Sequence, residues 1–346
     1  MSSARAASFV YVGNAESNDI SVLTLDRQSG ELTAIQTTPI PGAAKPGMST
    51  PMAVSPDGRI LFVGIRSEPY AAASFAIDAA SGRLAHLGNG PLADSMAYVV
   101  TDRSGHYLLS ASYGGHKVAV NPIGSDGVVG PVRQVVPTAP NAHCILPDAA
   151  NRFVLATSLG GDVVHQFRFD AASGTLTPNT PASVKVKDKA GPRHLVFHPS
   201  GRFVYLIGEL DGAVYVFDYD AARGRLGETQ AASALPPGFA GEPSAADLHV
   251  TPDGRYLYAC ERSSSTLAAF AIDPASGKLR AIGSYRTEKQ PRGFGIDPAG
   301  RYLLAAGQLS DGLTSYAIDP TGGTLTKLKQ YRVGRNPNWI EIIDLP

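Results

Sequence analysis

Apolar and polar residues along this chain fall into short runs of period two, broken by Gly, Pro, Asp and Ser, with hardly a trace of a 3.6-residue period. The stretch around residue 200 is typical: Leu195-Val196-Phe197, a polar turn, Phe203-Val204-Tyr205-Leu206-Ile207, a polar loop, then Ala213-Val214-Tyr215-Val216-Phe217. Side chains alternate across a strand, so such runs bounded by turn formers predict short antiparallel strands rather than amphipathic helices.

The turns repeat. Ser55-Pro56-Asp57-Gly58-Arg59 returns in altered form ending at His106, Arg152, Arg202, Arg255 and Arg301, at spacings of 47, 46, 50, 53 and 46 residues. A second turn, Asp-x-x-Ser-Gly-x-Leu, opens a fourth strand at Asp78, Asp170 and Asp273. Four strands in that period describe a β-propeller blade. Six copies are complete. The chain also begins at a second-strand pattern, Phe9-Val10-Tyr11-Val12-Gly13, and ends on Pro337-Asn338-Trp339-Ile340-Glu341-Ile342, which reads like the first strand Pro291-Arg292-Gly293-Phe294-Gly295-Ile296. The expectation is one all-β domain over residues 1–346: a seven-bladed β-propeller of four-stranded antiparallel blades, its ring closed when the C-terminal strand joins the N-terminal blade. The repeat overrides the two domains that 346 residues would otherwise suggest.

Composition narrows the function. Thirty basic residues balance thirty acidic ones, so no global field attracts nucleic acid or an anionic membrane surface. No apolar run is long enough to span a bilayer, and residues 1–12 lack the apolar core of a signal peptide. Two cysteines, Cys144 and Cys260, make no disulfide framework, which fits a cytoplasmic setting; a monomer is compatible with all of this.

With strands A to D running from the axis outwards, the A–B turns carrying the repeated arginines share one face with the C–D turns, and tight-turn chemistry accounts for them. The opposite face is where the copies differ. Nine residues before each turn anchor lie Thr50, Ala97, His143, Arg193, Ala246 and Arg292, joined by Asn338. Seven residues after it lie Arg66, Tyr113, Leu159, Glu209, Arg262 and Gln308, joined by Ala15. These positions hold four arginines and one glutamate, a formal +3 at the axis of a neutral protein. Guanidinium forks suit carboxylate and phosphate, so a small anion is the expected ligand. Arg66 or Arg262 neutralising a neighbour such as Glu68 or Glu261 is the alternative. His198 and His249 read as structural. The chain has no G-x-S-x-G elbow, Walker loop, zinc-ligand spacing or dinucleotide fingerprint. Neither metal nor cofactor is therefore expected, and acid–base chemistry with electrostatic stabilisation is.

Ala190-Gly191-Pro192-Arg193-His194-Leu195-Val196-Phe197-His198-Pro199 resembles a hallmark segment of the propeller-type 6-phosphogluconolactonases. So do Asp247-Leu248-His249-Val250-Thr251-Pro252, Tyr258-Ala259-Cys260-Glu261-Arg262 and Gln290-Pro291-Arg292-Gly293-Phe294, and the resemblance runs through all seven repeats. It implies hydrolysis of a sugar-acid δ-lactone without a cofactor. Carboxymuconate cyclases share this family and use a His, two Arg and a Glu; His143, Arg193 and Glu209 match by motif, with Arg262 the better second arginine and Arg292 the weaker. On that reading Glu209 is the first choice as base with His143 its acid–base partner, the order being reversible. Arg66, Arg292, His194, Tyr113 and Gln308 line the substrate. One departure concerns the loop after Arg66, where the resemblance calls for a second arginine and this chain has Tyr70. That leaves an unphosphorylated aldonic or aldaric lactone open beside a phosphorylated one. Two other classes compete: a cycloisomerase of an unsaturated dicarboxylate, and a non-catalytic binding platform. The platform would normally show a broad aromatic patch, whereas Trp339, the only tryptophan, falls at the closure seam.

Overall fold

The computed structural model describes residues 7–345, so part of the segment read above for a signal peptide, residues 1–6, lies outside the described residues. Seven four-stranded antiparallel sheets are arranged as blades. The innermost strand of blade one is Pro337–Asp344, which pairs with Ala7–Asn14 in a register running from Ser8 opposite Asp344 to Val12 opposite Ile340. The last strand of the chain thus closes the ring, as the sequence pattern predicts. Among the described residues the one departure from strand and turn is a single 3-10 turn, Leu159–Gly161, at the end of strand B in blade four.

The apolar core lies between blades. Seven hydrophobic clusters each join one neighbouring pair, for example Phe203, Tyr205 and Ile207 of blade five with Leu248, Leu257 and Ala259 of blade six. This follows from the alternation: both faces of every blade meet a neighbour, so both faces must be apolar, and strand B of blades four to seven is buried along its whole length.

The repeated turns lock each blade to the next. The Asp57 carboxylate accepts from Ser55 Oγ and the Arg59 amide, shaping the A–B turn. The turn arginines reach across to carbonyls of the neighbouring blade, Arg202 to Ala275 at 2.9 Å and Arg255 to Pro320 at 2.8 Å, and lie over Phe203 and Tyr256. Their role on this face is therefore structural. Tyr11, Tyr205 and Tyr258 donate to the carbonyls of Gly82, Gly277 and Gly323 in the next blade's C–D turn. Gln36, Gln134 and Gln230 each grip the main chain of a leucine there, Leu84, Leu176 and Leu279, at both N–H and C=O.

Gly82 shows how little room these joints have. Its φ is +65°, and a Cβ would run into the Phe9 ring. Gly82→Ala should lower stability by about 1–3 kcal/mol through left-handed strain and overpacking. Urea unfolding measures this, and an unchanged midpoint would show that the glycine under the ring does not constrain the blade interface.

Candidate active site

A local irregularity aims the key side chains. In blades one and three to seven, strand A carries a β-bulge one residue after its start: Ala142 pairs with Ser158 and Cys144 with Thr157, leaving His143 without an opposite number. The same holds for Asn338, Ala97, Ala246 and Arg292. In blade five the gap is wider, from Pro192 to Leu195, and takes in both Arg193 and His194. A bulge suspends strict alternation and re-aims side chains. Arg193 and His194, adjacent in sequence, consequently touch, Arg193 Nη1 donating to His194 Nε2 at 3.2 Å. His143 and Cys144 still diverge, Cys144 entering the core between blades four and five with its thiol pushed up to about 12 by burial. Arg66, Glu209 and Arg262 supply the second row, each the first residue beyond strand B of its blade.

Arg193 is the centre of the cluster, 1% exposed. Its Nε bonds Glu209 Oε2 at 2.8 Å and its Nη1 the carbonyl of Ala246 in blade six. Its own carbonyl accepts from Thr157 Oγ1 of blade four. Arg262 Nη2 stands 3.0 Å from Glu209 Oε1 while its Nε donates to the Ser244 carbonyl. One carboxylate thus bridges two guanidiniums. Burial pushes the Glu209 carboxyl up, but Arg193 and Arg262 overcome it and hold the group ionised below the usual glutamate range. Glu261 is not a partner of Arg262; it is buried and taken up by Ser244, Ser263 and Ser264.

The remaining arginines are not neutralised. Arg66 is held by two hydroxyls, Ser49 at 2.7 Å and Ser95 at 3.2 Å, and burial together with Arg193 brings its guanidinium down to about 10. The Arg292 side chain makes no hydrogen bond or ion pair among the described residues, and burial plus the charges of Arg193, Arg262 and Arg66 strongly disfavour its charged form. His143 is buried with Nδ1 lacking a partner, and burial and the field of Arg193, His194, Arg292 and Arg66 keep it neutral. Tyr113 sets the edge of its ring against His143 at 5.8 Å. Gln308 is less involved: its amide is spent on Asn336 and Gln290. Thr50 and Asn338 bond each other across blades one and two.

Further down the channel lies a layer around His194, expected from sequence to line the substrate, and His249, expected to be structural; sequence reasoning did not single out its carboxylates, Asp247 and Glu341. Asp247 bonds His194 and His249, Trp339 donates to Glu341, and Tyr98 packs against His194 and Trp339. With Phe294 and Ile340 they line a cavity of about 80 Å³. Burial raises the Glu341 carboxyl to about 7. The available signal was the i, i+2 pairing of Asp247 with His249 on one strand, which puts both on the channel face.

Fold and cleft together define a seven-bladed propeller with a cluster of guanidiniums at its axis. A family model described as a lactonase with a seven-bladed β-propeller matches residues 9–342, and the chain belongs to this family. It is 40% identical over 288 residues to the 6-phosphogluconolactonase of Pectobacterium carotovorum, covering 83% of this chain and 84% of the relative. The 6-phosphogluconolactonase of Serratia proteamaculans is 39% identical over 290 residues, with the same coverage. Among solved structures it resembles the periplasmic gluconolactonase of Pseudomonas aeruginosa, with a TM-score of 0.88, 31% identity and coverage of 98% of this chain and 100% of that one. No helix among the described residues is long and apolar enough to cross a membrane.

Because Arg292 has no ion-pair partner among the described residues, Arg292→Met should stabilise the free protein by roughly 1 kcal/mol; millimolar inorganic phosphate, which raises the Tm of the wild type by mass action if it fills the cleft, should protect the variant less. Thermal melts with and without phosphate test both halves. A lower Tm without phosphate would mean that Arg292 is already neutralised.

Proposed function

We propose that the protein hydrolyses a sugar-acid δ-lactone, 6-phosphogluconolactone or a related aldonic or aldaric lactone, to the open acid. The observation that carries this reading is a neutral imidazole with an unpartnered ring nitrogen, buried among guanidiniums that outnumber their carboxylate. Lactone opening needs those groups. Water must lose a proton as it adds to the ring carbonyl, the carbonyl oxygen gains negative charge, and the ring oxygen must leave protonated. His143 takes the proton and returns it to the departing oxygen. Arg193 and Arg262 face the developing oxyanion, with Arg292 free to bind the substrate's own anionic groups and Arg66 its far end. The carboxylic acid formed ionises at neutral pH and releases one proton.

Sequence reasoning preferred Glu209 as base. The geometry favours His143, since both Glu209 oxygens are engaged by arginines and their charge weakens it as a proton acceptor. Glu209 then serves to align the two guanidiniums. The relatives' names and the residue matches support a lactone as substrate; the free, buried cysteines Cys144 and Cys260 suit the cytoplasmic setting, and we take residues 1–346 as one lactonase domain.

His143→Gln should lower kcat by about 10²–10⁴-fold, read as proton release in a weakly buffered indicator assay. Retention of more than a third of the activity would return the base to Glu209. The sign of the pH dependence follows from His143: its protonated form is disfavoured, so kcat/KM should hold level from pH 8 down past 6.5 and fall only below that. Arg292→Met removes one of the charges responsible and should move the acidic limb upwards.

Arg66→Ala addresses the substrate's far end. If that end is a phosphate, KM for the phosphorylated lactone should rise about tenfold or more, as loss of a charge-assisted contact implies, with less than a threefold effect on the unphosphorylated analogue. A wild-type enzyme preferring the unphosphorylated lactone tenfold would reject the phosphate and leave lactone hydrolysis standing.

A further inference from the structure

Asp247 touches none of Arg66, Arg262, Arg292 and Glu209, yet it ends a continuous chain of hydrogen bonds that begins at Glu209. Glu209 Oε2 accepts from Arg193 Nε at 2.8 Å, Arg193 Nη1 stands 3.2 Å from His194 Nε2, and His194 Nδ1 stands 2.8 Å from Asp247 Oδ1. A guanidinium can only donate, so Nε2 of His194 must be its acceptor and the ring proton must sit on Nδ1. Among the described residues, the polar side chain that receives it is Asp247. We propose that Asp247 is a positioning residue for the lactone reaction: by accepting the Nδ1 proton of His194 it fixes the tautomer that buttresses Arg193, and so holds that guanidinium towards Glu209 and the developing oxyanion.

The surroundings fit a fixed anion. Asp247 Oδ1 also accepts from the Leu248 amide at 3.0 Å, and Oδ2 accepts from His249 Nε2 at 3.2 Å. His249, in the channel with its ring edge on Phe294 at 4.7 Å, is raised in pKa despite burial because the Asp247 carboxylate faces it. His249 thus faces the carboxylate from the side away from His194, and burial pushes the Glu341 carboxyl up to about 7. The His194 ring is walled by Tyr98 at 5.2 Å, His143 at 5.1 Å and Trp339 at 5.9 Å, so it cannot swing to find another acceptor. Burial and Arg193 bring its pKa down to about 4 against the pull of Asp247, with Arg292 acting in the same sense as Arg193. The ring is thereby neutral, and a neutral ring has a tautomer to be chosen.

Replacing the carboxylate by an amide of the same shape tests this. The side chain of Asp247→Asn can turn its NH₂ to Nδ1, which moves the ring proton to Nε2 and sets two donors against each other at Arg193. That is the logic by which an aspartate orients a catalytic histidine elsewhere. In ¹⁵N-histidine-labelled wild-type protein, His194 should carry its proton on Nδ1; a proton on Nε2 overturns the proposal whatever any variant does. In Asp247→Asn the two ring-nitrogen signals should exchange character. Turnover of the best lactone should fall about 10–100-fold in kcat with KM changed less than threefold. A kcat within threefold of wild type overturns the proposal. A double-mutant comparison then separates positioning from a merely structural role. In a His194→Gln background, where no tautomer exists, Asp247→Asn should add less than a threefold loss; the same loss in both backgrounds would mean that Asp247 does not act through His194. The kinetic arm rests on lactone hydrolysis, whereas the tautomer is read in the free protein. Absence of turnover in the wild type would therefore sink the function and leave the nitrogen assignment to be judged separately.

Discussion

The rest of the site depends on one demand, the burial of the Arg193 guanidinium at 1% exposure. Taking an ion of this size out of water costs several kcal/mol unless nearly every donor is met and the charge is balanced. The surroundings meet the demand from four directions. Glu209 supplies charge, the Ala246 carbonyl and the His194 ring accept from Nη1, and Thr157 ties down the main chain. These partners come from three blades, so the arginine can be buried only once blades four, five and six are packed together. Glu209 in turn reaches Arg262, and His194 reaches Asp247, so the charge balance of the whole cleft propagates from this one side chain.

The architecture gives the cleft its contrast between filled and unfilled charge. Arg193 and Arg262 share a carboxylate, whereas Arg66 leans on serine hydroxyls and Arg292 has no such partner among the described residues. Guanidiniums held this close without a matching carboxylate are costly to bury. The same field keeps His143 unprotonated at neutral pH, with its Nδ1 lacking a partner. Stability and reactivity here draw on opposite faces of the propeller. The A–B and C–D turns bind blade to blade through arginines, tyrosines and glycines that repeat, while the strand-A starts and strand-B ends carry the residues that do not.

The propeller was legible in the sequence because its causes are local and repeated. Apolar alternation makes the strands, Ser-Pro-Asp-Gly-Arg and Asp-x-x-Ser-Gly make the turns, and the match of residues 337–342 to a first strand implies ring closure. The register of the repeat also located His143, Arg193, Glu209, Arg262, Arg66 and Arg292 at the axis, since equivalent positions in a ring of blades must face the same centre. The tertiary structure decided what those residues do to one another. The strand-A bulges put Arg193 and His194 on the same side, against the period-two rule, and no local signal in the sequence marks them. Likewise Arg262 meets Glu209 and not its own neighbour Glu261, because Glu261 is consumed by the serines of its loop. Asp247 and Glu341 gain their setting from a channel that exists only once seven blades have closed. Strand and turn follow from neighbours along the chain, but a proton's position follows from groups some fifty residues apart, and only the closed ring brings those into contact.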